Sequence, residues 1–217
     1  SIHGWLNEAA TRIRAGRTNL NEVLLVGAQE GSDKAESNMG KVASAIQMNR
    51  RLVVVCPLAA WRDTYKDSDP VVHLRDFFGL PELTIDESLW RDTLRHHPIE
   101  KAAWKRGKRV IAIALTDVPE NGSANVLHMA LMYVSDRWIP LDSSYEGDVE
   151  AKLAEQSRSY MKPLRYDADN DEVFADFHLL DTETNHLPME VFGLGTTDYL
   201  ARKVVKQGIY NQRFGSN

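Results

Sequence analysis

Two runs of residues decide how the second half of this chain folds: Val-Phe-Ala-Asp-Phe-His-Leu-Leu-Asp at 173–181 and Leu-Pro-Met-Glu-Val-Phe-Gly-Leu at 187–194. Both are short and apolar, and the polar segment 182–186 separates them, a pattern that predicts two strands joined by a turn. Apolar side chains fall on both faces of each strand, so we expect the pair to be covered on both sides.

Each of these strands carries one acidic residue in its middle. Asp176 and Glu190 both have an apolar residue on either side. An ionised carboxylate in such surroundings is costly unless it is compensated, and two carboxylates on neighbouring strands repel each other. A divalent cation between them removes both problems, and oxygen ligands favour Mg²⁺ or Mn²⁺. The sequence therefore predicts a magnesium or manganese site at this strand pair.

Helices and further strands are predicted on both sides of this pair. Around it, helical or strand patterns occupy 143–160 (helix), 161–166 (strand) and 198–210 (helix, with Asp198 as N-cap). In the first half they occupy 2–15 and 86–106 (helices, the second capped by Asp86 and broken by Pro98) and 23–26, 52–56, 110–115 and 126–139 (strands). The polar segment 27–40 contains many turn-forming residues and lacks a Walker phosphate loop.

This order of elements predicts an α/β protein of the α+β type. A change of character near Asn125 predicts a boundary there, with an N-terminal α+β region at 1–125 and a core domain at 126–217. The chain of 217 residues is long enough for one large domain or two small ones, and its 43% hydrophobic and 26% charged residues are typical of globular proteins.

Charge and cysteine content indicate which partners and which cellular location to expect. Residues 143–198 hold 13 acidic against 4 basic residues, whereas 91–109 hold seven basic residues and the chain from Tyr199 onward has no acid. Such neighbours could bind cations and polyanions, although the charge counts alone favour ordinary solvated helix faces. A lone cysteine, Cys56, favours a reducing, cytoplasmic location and an inert core thiol. No run approaches the ~18 apolar residues of a membrane helix, so we expect no membrane partner.

Asp176, the fourteen-residue step to Glu190, and a preceding helix that contains Glu146 together resemble the PD-(D/E)xK nuclease superfamily. The resemblance covers residues 143–210 and implies a restriction-endonuclease-like core, a small mixed sheet flanked by helices. It implies that Asp176, Glu190 and the backbone carbonyl of Val191 bind the metal, with Glu146 as an additional carboxylate. Segments 132–146, 162–167 and 199–203 are also similar to an uncharacterised bacterial family of conjugative and other mobile elements.

The sequence departs from the superfamily pattern at two positions. Ala175 stands where proline precedes the first acid, and Phe192 stands where the motif lysine belongs. Some members supply that lysine from the following helix, so the resemblance implies Lys203 or Lys206 as the catalytic lysine. Helical spacing places both on one face with Tyr199 and Tyr210, while Leu200 and Val204 are predicted on the packing side.

The function that follows is a metal-dependent nuclease acting on DNA, with RNA left open as a substrate. Residues expected to hold nucleic acid are Tyr199, Arg202 and Lys206 on the final helix and Lys105, Arg106, Lys108 and Arg109 in the first half, with Trp104 and Tyr199 for stacking. The rival hypothesis is a catalytically inactive nuclease-like module that binds DNA or serves assembly in a conjugation system. Further copies of the chain or mobile-element machinery are the expected protein partners.

Each candidate residue also has a structural interpretation. Glu146 follows Ser143 at capping-box spacing and could serve only the helix N-terminus. Asp176 could form an ion pair with Lys203 or Arg202, and the helix lysines could be a solvated face. His178 lies on the same strand face as Asp176 and is interpreted as a core histidine.

Overall fold

The structure, a computed structural model, describes residues 2–65, 70–164, 174–182 and 187–191, together with Val204, Gly208, Tyr210 and Gln212. The predicted α+β architecture is confirmed. The chain divides into two compact units, Ser1–Pro140 (the N-terminal unit) and Leu141–Asn217 (the C-terminal unit). Within the described ranges, no helix has both the length and the apolar character needed to cross a membrane.

The N-terminal unit contains five helices and seven strands among its described residues. In chain order they are α1 (Ile2–Arg12), β1 (Arg14–Ala15), β2 (Thr18–Asn19), α2 (Leu20–Val23), β3 (Leu24–Val26), α3 (Asp33–Gln47), β4 (Val53–Pro57), β5 (Glu82–Thr84), α4 (Glu87–His96), α5 (Pro98–Lys105), β6 (Val110–Thr116) and β7 (Ser123–Tyr133). As predicted, Asp86 caps α4 through the N–H of Ser88, and Pro98 ends one helix and starts the next at its first turn.

One mixed sheet of five strands forms the centre of this unit, in the order β3-β4-β6-β7-β5. The strands β4, β6 and β7 are antiparallel neighbours, while β3 and β5 join the two edges in parallel. The boundary predicted near Asn125 falls inside β7, a continuous strand paired with β6, whereas the division of the chain follows Pro140. Strand pairing therefore keeps residues 126–140 with the first half.

The core of the unit is apolar on both faces of this sheet. One cluster joins α1 to the sheet through Ala10, Leu24, Val26, Val55, Ile111 and Val134. Cys56 is buried in β4, where its thiol contacts the carbonyl oxygen of Arg75 at 2.9 Å. Burial, with a contribution from the charge of Asp76, raises the pKa of the Cys56 thiol to about 12. A neutral, enclosed thiol agrees with its interpretation as a core residue.

Helix α3 occupies part of the segment 27–40 that the sequence pattern assigned to turns. Its N-cap is Ser32, whose hydroxyl accepts the N–H of Ala35, and it packs on the edge strand β3. The buried amide of Asn38 accepts the N–H of Val26 and donates to its carbonyl at 2.8 Å. Lys41 donates to the carbonyl of Leu24 at 2.9 Å. Side chains of α3 thus occupy the backbone groups that β3 presents away from β4.

The C-terminal unit has shorter elements than the sequence predicts. They are α6 (Ser144–Glu155), β8 (Tyr160–Met161), β9 (Phe177–Leu179) and β10 (Leu187–Met189). The three strands form an antiparallel sheet in the order β10-β9-β8. Most of the predicted final helix lies outside the described residues, but Val204, Gly208, Tyr210 and Gln212 have helical backbone. Val204 is 68% exposed, so its predicted place on the packing side is wrong.

Candidate functional site

The register of β9 and β10 brings the two strand carboxylates together. Leu187 pairs with Leu179 and Met189 with Phe177, and Glu190 and Asp176 are the residues directly beyond this last pair. Residues directly opposite each other in an antiparallel pair project from the same face, with Cβ atoms about 4.5–5.5 Å apart. The sequence-based expectation that these acids are cross-strand neighbours on one face agrees with this geometry.

Each of the two carboxylates accepts a hydrogen bond from the C-terminal unit. The backbone N–H of Val191 donates to Oδ2 of Asp176 at 2.7 Å, and the hydroxyl of Tyr210 donates to Oε1 of Glu190 at 2.6 Å. Both distances are short because the acceptors are ionised. The peptide of Val191 therefore fixes one acid with its N–H, and the phenol of Tyr210 fixes the other.

Tyr210 responds to the electrostatics of both acids. Burial, the hydrogen bond to Glu190, and the negative charges of Glu190 and Asp176 all raise the pKa of Tyr210 above its usual value. The phenol therefore stays protonated throughout the physiological pH range and remains a donor. The influence of both charges on one hydroxyl shows that Asp176, Glu190 and Tyr210 share a single electrostatic environment.

The opposite face of the same sheet carries a different arrangement. Phe177 follows Asp176 and is fully buried, and the ammonium group of Lys162 lies 5.6 Å from the centre of its ring. Lys162 forms an ion pair with Glu146 at 2.5 Å, with side chains only 5% and 8% exposed. Asp176 directly precedes Phe177, the first residue of β9, so we infer from the alternation of side chains along a strand that this pair and Asp176 lie on different sides of the sheet.

Glu146 is thus separated from the carboxylate pair it was expected to join. Its carboxylate accepts the N–H of Asp142 at 3.1 Å in addition to Lys162, while the hydroxyl of Ser143 caps the N–H of Glu146. The N-terminal capping interpretation of Ser143 and Glu146 agrees with these contacts, except that the carboxylate bonds the N–H one residue before the N-cap. Its place in a metal site with Asp176 and Glu190 is not supported by this geometry.

Lys162 has an electrostatic environment of its own. Burial lowers its pKa, but the hydrogen bonds and charges of Glu146 and Asp142 outweigh burial and raise the pKa above its usual value. A second buried acid of α6, Glu150, accepts the hydroxyl of Tyr160 at 2.5 Å. This face of the sheet therefore joins α6 to β8 by two buried hydrogen-bonded contacts, one of them charged.

The face with Asp176 and Glu190 also carries His178, two residues along β9 and half-buried. Among the residues that the structure describes, no three or more His, Cys, Asp or Glu side chains are grouped as a metal site. The described donor set is therefore two carboxylates and backbone, a combination that suits a hard cation completed by water.

The predicted final-helix residues cannot be placed relative to this pair. Phe192, Tyr199, Arg202, Lys203 and Lys206 all lie outside the described residues. Their roles as catalytic lysine, ion-pair partners of Asp176 or nucleic-acid contacts remain predictions.

The basic residues predicted to bind nucleic acid in the N-terminal unit are of two kinds. Arg109 is held by its own unit, because its guanidinium lies 4.4 Å from the ring centre of Trp138 and donates to the carbonyl of Asp136 at 2.9 Å. Lys105 is exposed at the end of α5, with its ammonium 5.1 Å from the ring centre of Trp61. Arg109 is therefore a structural residue of this loop as much as a candidate phosphate contact.

Arg106 and Lys108 are exposed and available to a polyanion. Trp104 is not available for stacking, because only 4% of it is exposed and its indole N–H donates to the carbonyl of Ala59 at 2.7 Å. The helical pattern of 86–106 had shown Trp104 on the apolar side of its helix, and burial follows from that position.

Two residues that shape the site were not singled out from the sequence. Tyr210 was placed on the lysine face of the final helix without a role, and its spacing of seven residues from Lys203 was the available signal. Lys162 gave no local signal, since its partner Glu146 is sixteen residues away and only the strand register brings them together. Charged pairs of this kind depend on the tertiary fold.

The geometry defines the class of this protein. It is an α+β protein with two neighbouring acids at a small antiparallel sheet. A family model described as "Protein of unknown function (DUF1173)" matches residues 4–211, and the chain belongs to that family. No curated protein and no solved structure gives a significant match. The family match spans both units.

Proposed function

We propose that this protein is a metal-dependent nuclease that hydrolyses DNA phosphodiester bonds, with Asp176 and Glu190 at its centre. The observation that carries the proposal is that these two acids directly follow the last pair of the β9–β10 ladder and both act on the hydroxyl of Tyr210. Like charges close together are unfavourable unless a function or a cation compensates them, and two neighbouring acids in a half-buried site are typical of catalytic centres.

The residues fit Mg²⁺ or Mn²⁺. The carboxylates of Asp176 and Glu190 and the backbone carbonyl of Val191 are the ligands we propose. Mg²⁺ commonly binds one or two carboxylates and keeps several waters, so this set is sufficient. A cation bound there stabilises the charge that develops on the phosphate and lowers the pKa of water.

The chain's own residues orient that centre. The N–H of Val191 and the hydroxyl of Tyr210 each hold one carboxylate in a fixed direction, which reduces the reorganisation needed when substrate binds. Lys203 and Lys206 are proposed to supply the positive charge that Phe192 cannot. Helical spacing puts Lys203 and Lys206 on the face that carries Tyr210, and Tyr210 contacts Glu190.

Cleavage assays test this proposal directly. Supercoiled and single-stranded DNA are incubated with the full chain in Mg²⁺, Mn²⁺ or EDTA, with an RNA strand in parallel. We expect metal-dependent cleavage that Asp176→Asn and Glu190→Gln each reduce by at least about 10²-fold, the usual cost of losing a charge-stabilising group. Asp148→Asn, at an exposed acid of α6, is the matched control and should cleave normally. Cleavage that survives both site variants would overturn the assignment.

The two lysines are expected to have different roles. Lys203 lies near the start of the predicted helix and is closer in sequence to Glu190 than Lys206 is, so we propose that Lys203→Ala abolishes turnover and leaves DNA affinity almost unchanged. Lys206→Ala should weaken binding and flatten its salt dependence by about one phosphate contact. Retained cleavage in both variants, with equal effects on binding, would exclude a lysine supplied by this helix.

Phe192 in place of the motif lysine favours a second candidate function. In this alternative the chain is an inactive nuclease-like module that binds DNA, or serves assembly, in a conjugation system or other mobile element. The same assays decide, since this alternative requires DNA binding without cleavage in any of the metals. For either function we infer a cytoplasmic location from the single buried cysteine, with DNA and either mobile-element proteins or further copies of the chain as partners.

A further inference from the structure

The N-terminal unit contains an aromatic cleft that the proposed nuclease centre does not use. Its volume is about 490 Å³, within the range of roughly 300–1,000 Å³ that ligand sites occupy. Three aromatic rings contribute to its wall, those of Tyr65, His73 and Phe77. Arg62 and Glu82 are the charged residues of the lining. We call this feature the aromatic cleft.

A series of rings connects the buried interior to the cleft. Tyr65 stacks on His73 with ring centres 4.5 Å apart and planes 9° from parallel, and it lies 6.0 Å from Trp104 at 27°. Trp104 is buried and anchored through its indole N–H to the carbonyl of Ala59. The Tyr65–His73 pair is thus a face-to-face stack that Trp104 anchors, and both of its rings belong to residues that line the cleft.

Positive charge lies beside these rings. The ammonium of Lys105 is 5.1 Å from the ring centre of Trp61, which itself packs edge-on against Trp104 at 4.7 Å. Arg62 is exposed in the cleft lining. The exposed cations Arg106 and Lys108 follow Lys105 along the chain. Flat aromatic surface next to exposed cations is the combination with which proteins bind single-stranded nucleic acid.

We infer that the aromatic cleft binds single-stranded nucleic acid, with a base that extends the Tyr65–His73 stack and the phosphates on Arg62 and Lys105. A duplex does not fit this chemistry, because its bases are already paired and stacked on one another. Glu82 can accept a hydrogen bond from the amino group of a base. The cations disfavour the other usual occupant of aromatic grooves, a proline-rich peptide, which needs no phosphate contacts. This inference is independent of metal and of cleavage.

Fluorescence anisotropy of a labelled 12-nucleotide strand, in EDTA with the full chain, tests the inference. We expect the wild-type protein to bind the single strand more tightly than the matched duplex. His73→Ala should weaken binding roughly tenfold, the effect of one lost stacking contact. Arg62→Ala should reduce the slope of log K against log salt by about 0.7, the value for one phosphate of a single strand.

Matched variants elsewhere in the unit control for general effects. His128→Ala on β7 and Arg51→Ala before β4 alter exposed residues of the same types and should leave binding unchanged. A DNA and an RNA version of the strand distinguish the two sources of the same ligand chemistry. The inference is overturned if His73→Ala and Arg62→Ala bind as wild type, if the duplex binds as tightly, or if only a proline-rich peptide binds. Failure here leaves cleavage at Asp176 untouched, so the two proposals can fail separately.

Discussion

The acidic side chains on the two faces of the small antiparallel sheet have different electrostatic partners. On one face Glu146 is neutralised by Lys162 at 2.5 Å and also accepts a backbone N–H. On the other, Glu190 stands opposite a second acid, Asp176, and the donors seen among the described residues are a phenol and a peptide N–H. The first arrangement pairs an acid with a lysine, whereas the second brings two acids close to one phenol.

This difference distinguishes a structural acid from a functional one in this unit. An acid whose charge is matched by a lysine contributes to folding, and removing either partner leaves the other buried and unpaired. An acid set against another acid costs folding energy, and removing one of them relieves repulsion. The comparison therefore predicts that removing a charge lowers the stability of the unit on the first face, and leaves it unchanged or raises it on the second.

Lys162→Met should have the largest effect, because it leaves Glu146 buried with its charge uncompensated. We expect a loss of about 3–5 kcal/mol in the stability of the C-terminal unit. Hydrogen–deuterium exchange of peptides from 141–182 measures this. All five tryptophans precede residue 140, so tryptophan fluorescence during urea unfolding gives an internal reference for the N-terminal unit.

Two further variants test the cause of that loss. Lys152→Met removes an ion pair with Glu155 in which both side chains are more than 60% exposed, and it should cost at most about 1 kcal/mol. Glu146→Gln combined with Lys162→Met removes both charges and should recover most of the stability. If the double variant is no more stable than Lys162→Met alone, loss of packing on Phe177 rather than unpaired charge is the cause.

Tyr210→Phe should have an intermediate effect on the other face. It removes the 2.6 Å hydrogen bond to Glu190, a neutral donor to an ionised acceptor, and should cost about 1.5 kcal/mol. Exchange protection of peptides that cover Phe177–Leu179 and Leu187–Met189 reports the loss. Tyr145→Phe, at a tyrosine that is 51% exposed, should change nothing. Equal protection in Tyr210→Phe and wild type would mean that the phenol does not hold Glu190 in solution.

Tyr210 also makes stability depend on alkaline pH. Its pKa is raised in the folded state by burial, the hydrogen bond to Glu190 and the two acids, so above about pH 10 the unfolded chain loses the phenol proton first. The contribution of Tyr210 is complete below that pH and decreases as pH rises towards the folded-state pKa. Urea unfolding followed by circular dichroism between pH 8 and 11 should therefore show a steeper decline in wild type than in Tyr210→Phe. Parallel curves would contradict this linkage.

Asp176→Asn in EDTA should have the smallest effect, and of the opposite sign. Stability should stay within about 1 kcal/mol of wild type or rise, because one of two opposed charges is removed while the amide oxygen can still accept the N–H of Val191. Adding Mn²⁺ at a hundred times its Kd should stabilise wild type by about 2.7 kcal/mol and this variant much less. An unfolded variant, with a wild type that Mn²⁺ does not stabilise, would make Asp176 a structural ion-pair residue.

Much of this fold follows from local pattern. The β6–β7 hairpin, the buried strand β4 and the break at Pro98 were all predicted, because apolar runs, polar turns and a helix-ending proline act within a few residues. The opposition of Asp176 and Glu190 was also predicted, since two strands joined by a short turn pair with each other. In these cases the sequence neighbours are also the spatial neighbours.

The remaining features depend on contacts that no local pattern contains. Helix α3 has few buried apolar residues, and Gly40 in its middle is a residue typical of turns. The helix is fixed instead by hydrogen bonds from the side chains of Asn38 and Lys41 to the backbone of β3. The Lys162–Glu146 pair needs the β8–β9 register, which gives Glu146 a partner sixteen residues away in the chain. The division of the chain lies after Pro140 and not near Asn125, because β7 continues to pair with β6 beyond Asn125.

The contacts of Asn38 with β3 have a consequence for how copies of this protein meet. An apolar edge strand such as Leu24–Val26, with unused backbone groups, is a template on which a second chain can add its own strand. Here the amide of Asn38 occupies both backbone groups of Val26, and Lys41 occupies the carbonyl of Leu24, so this edge is already saturated. Helix α3 therefore blocks the addition of a strand from another chain at this side of the sheet. Such strand addition is a route to aggregation and domain swapping.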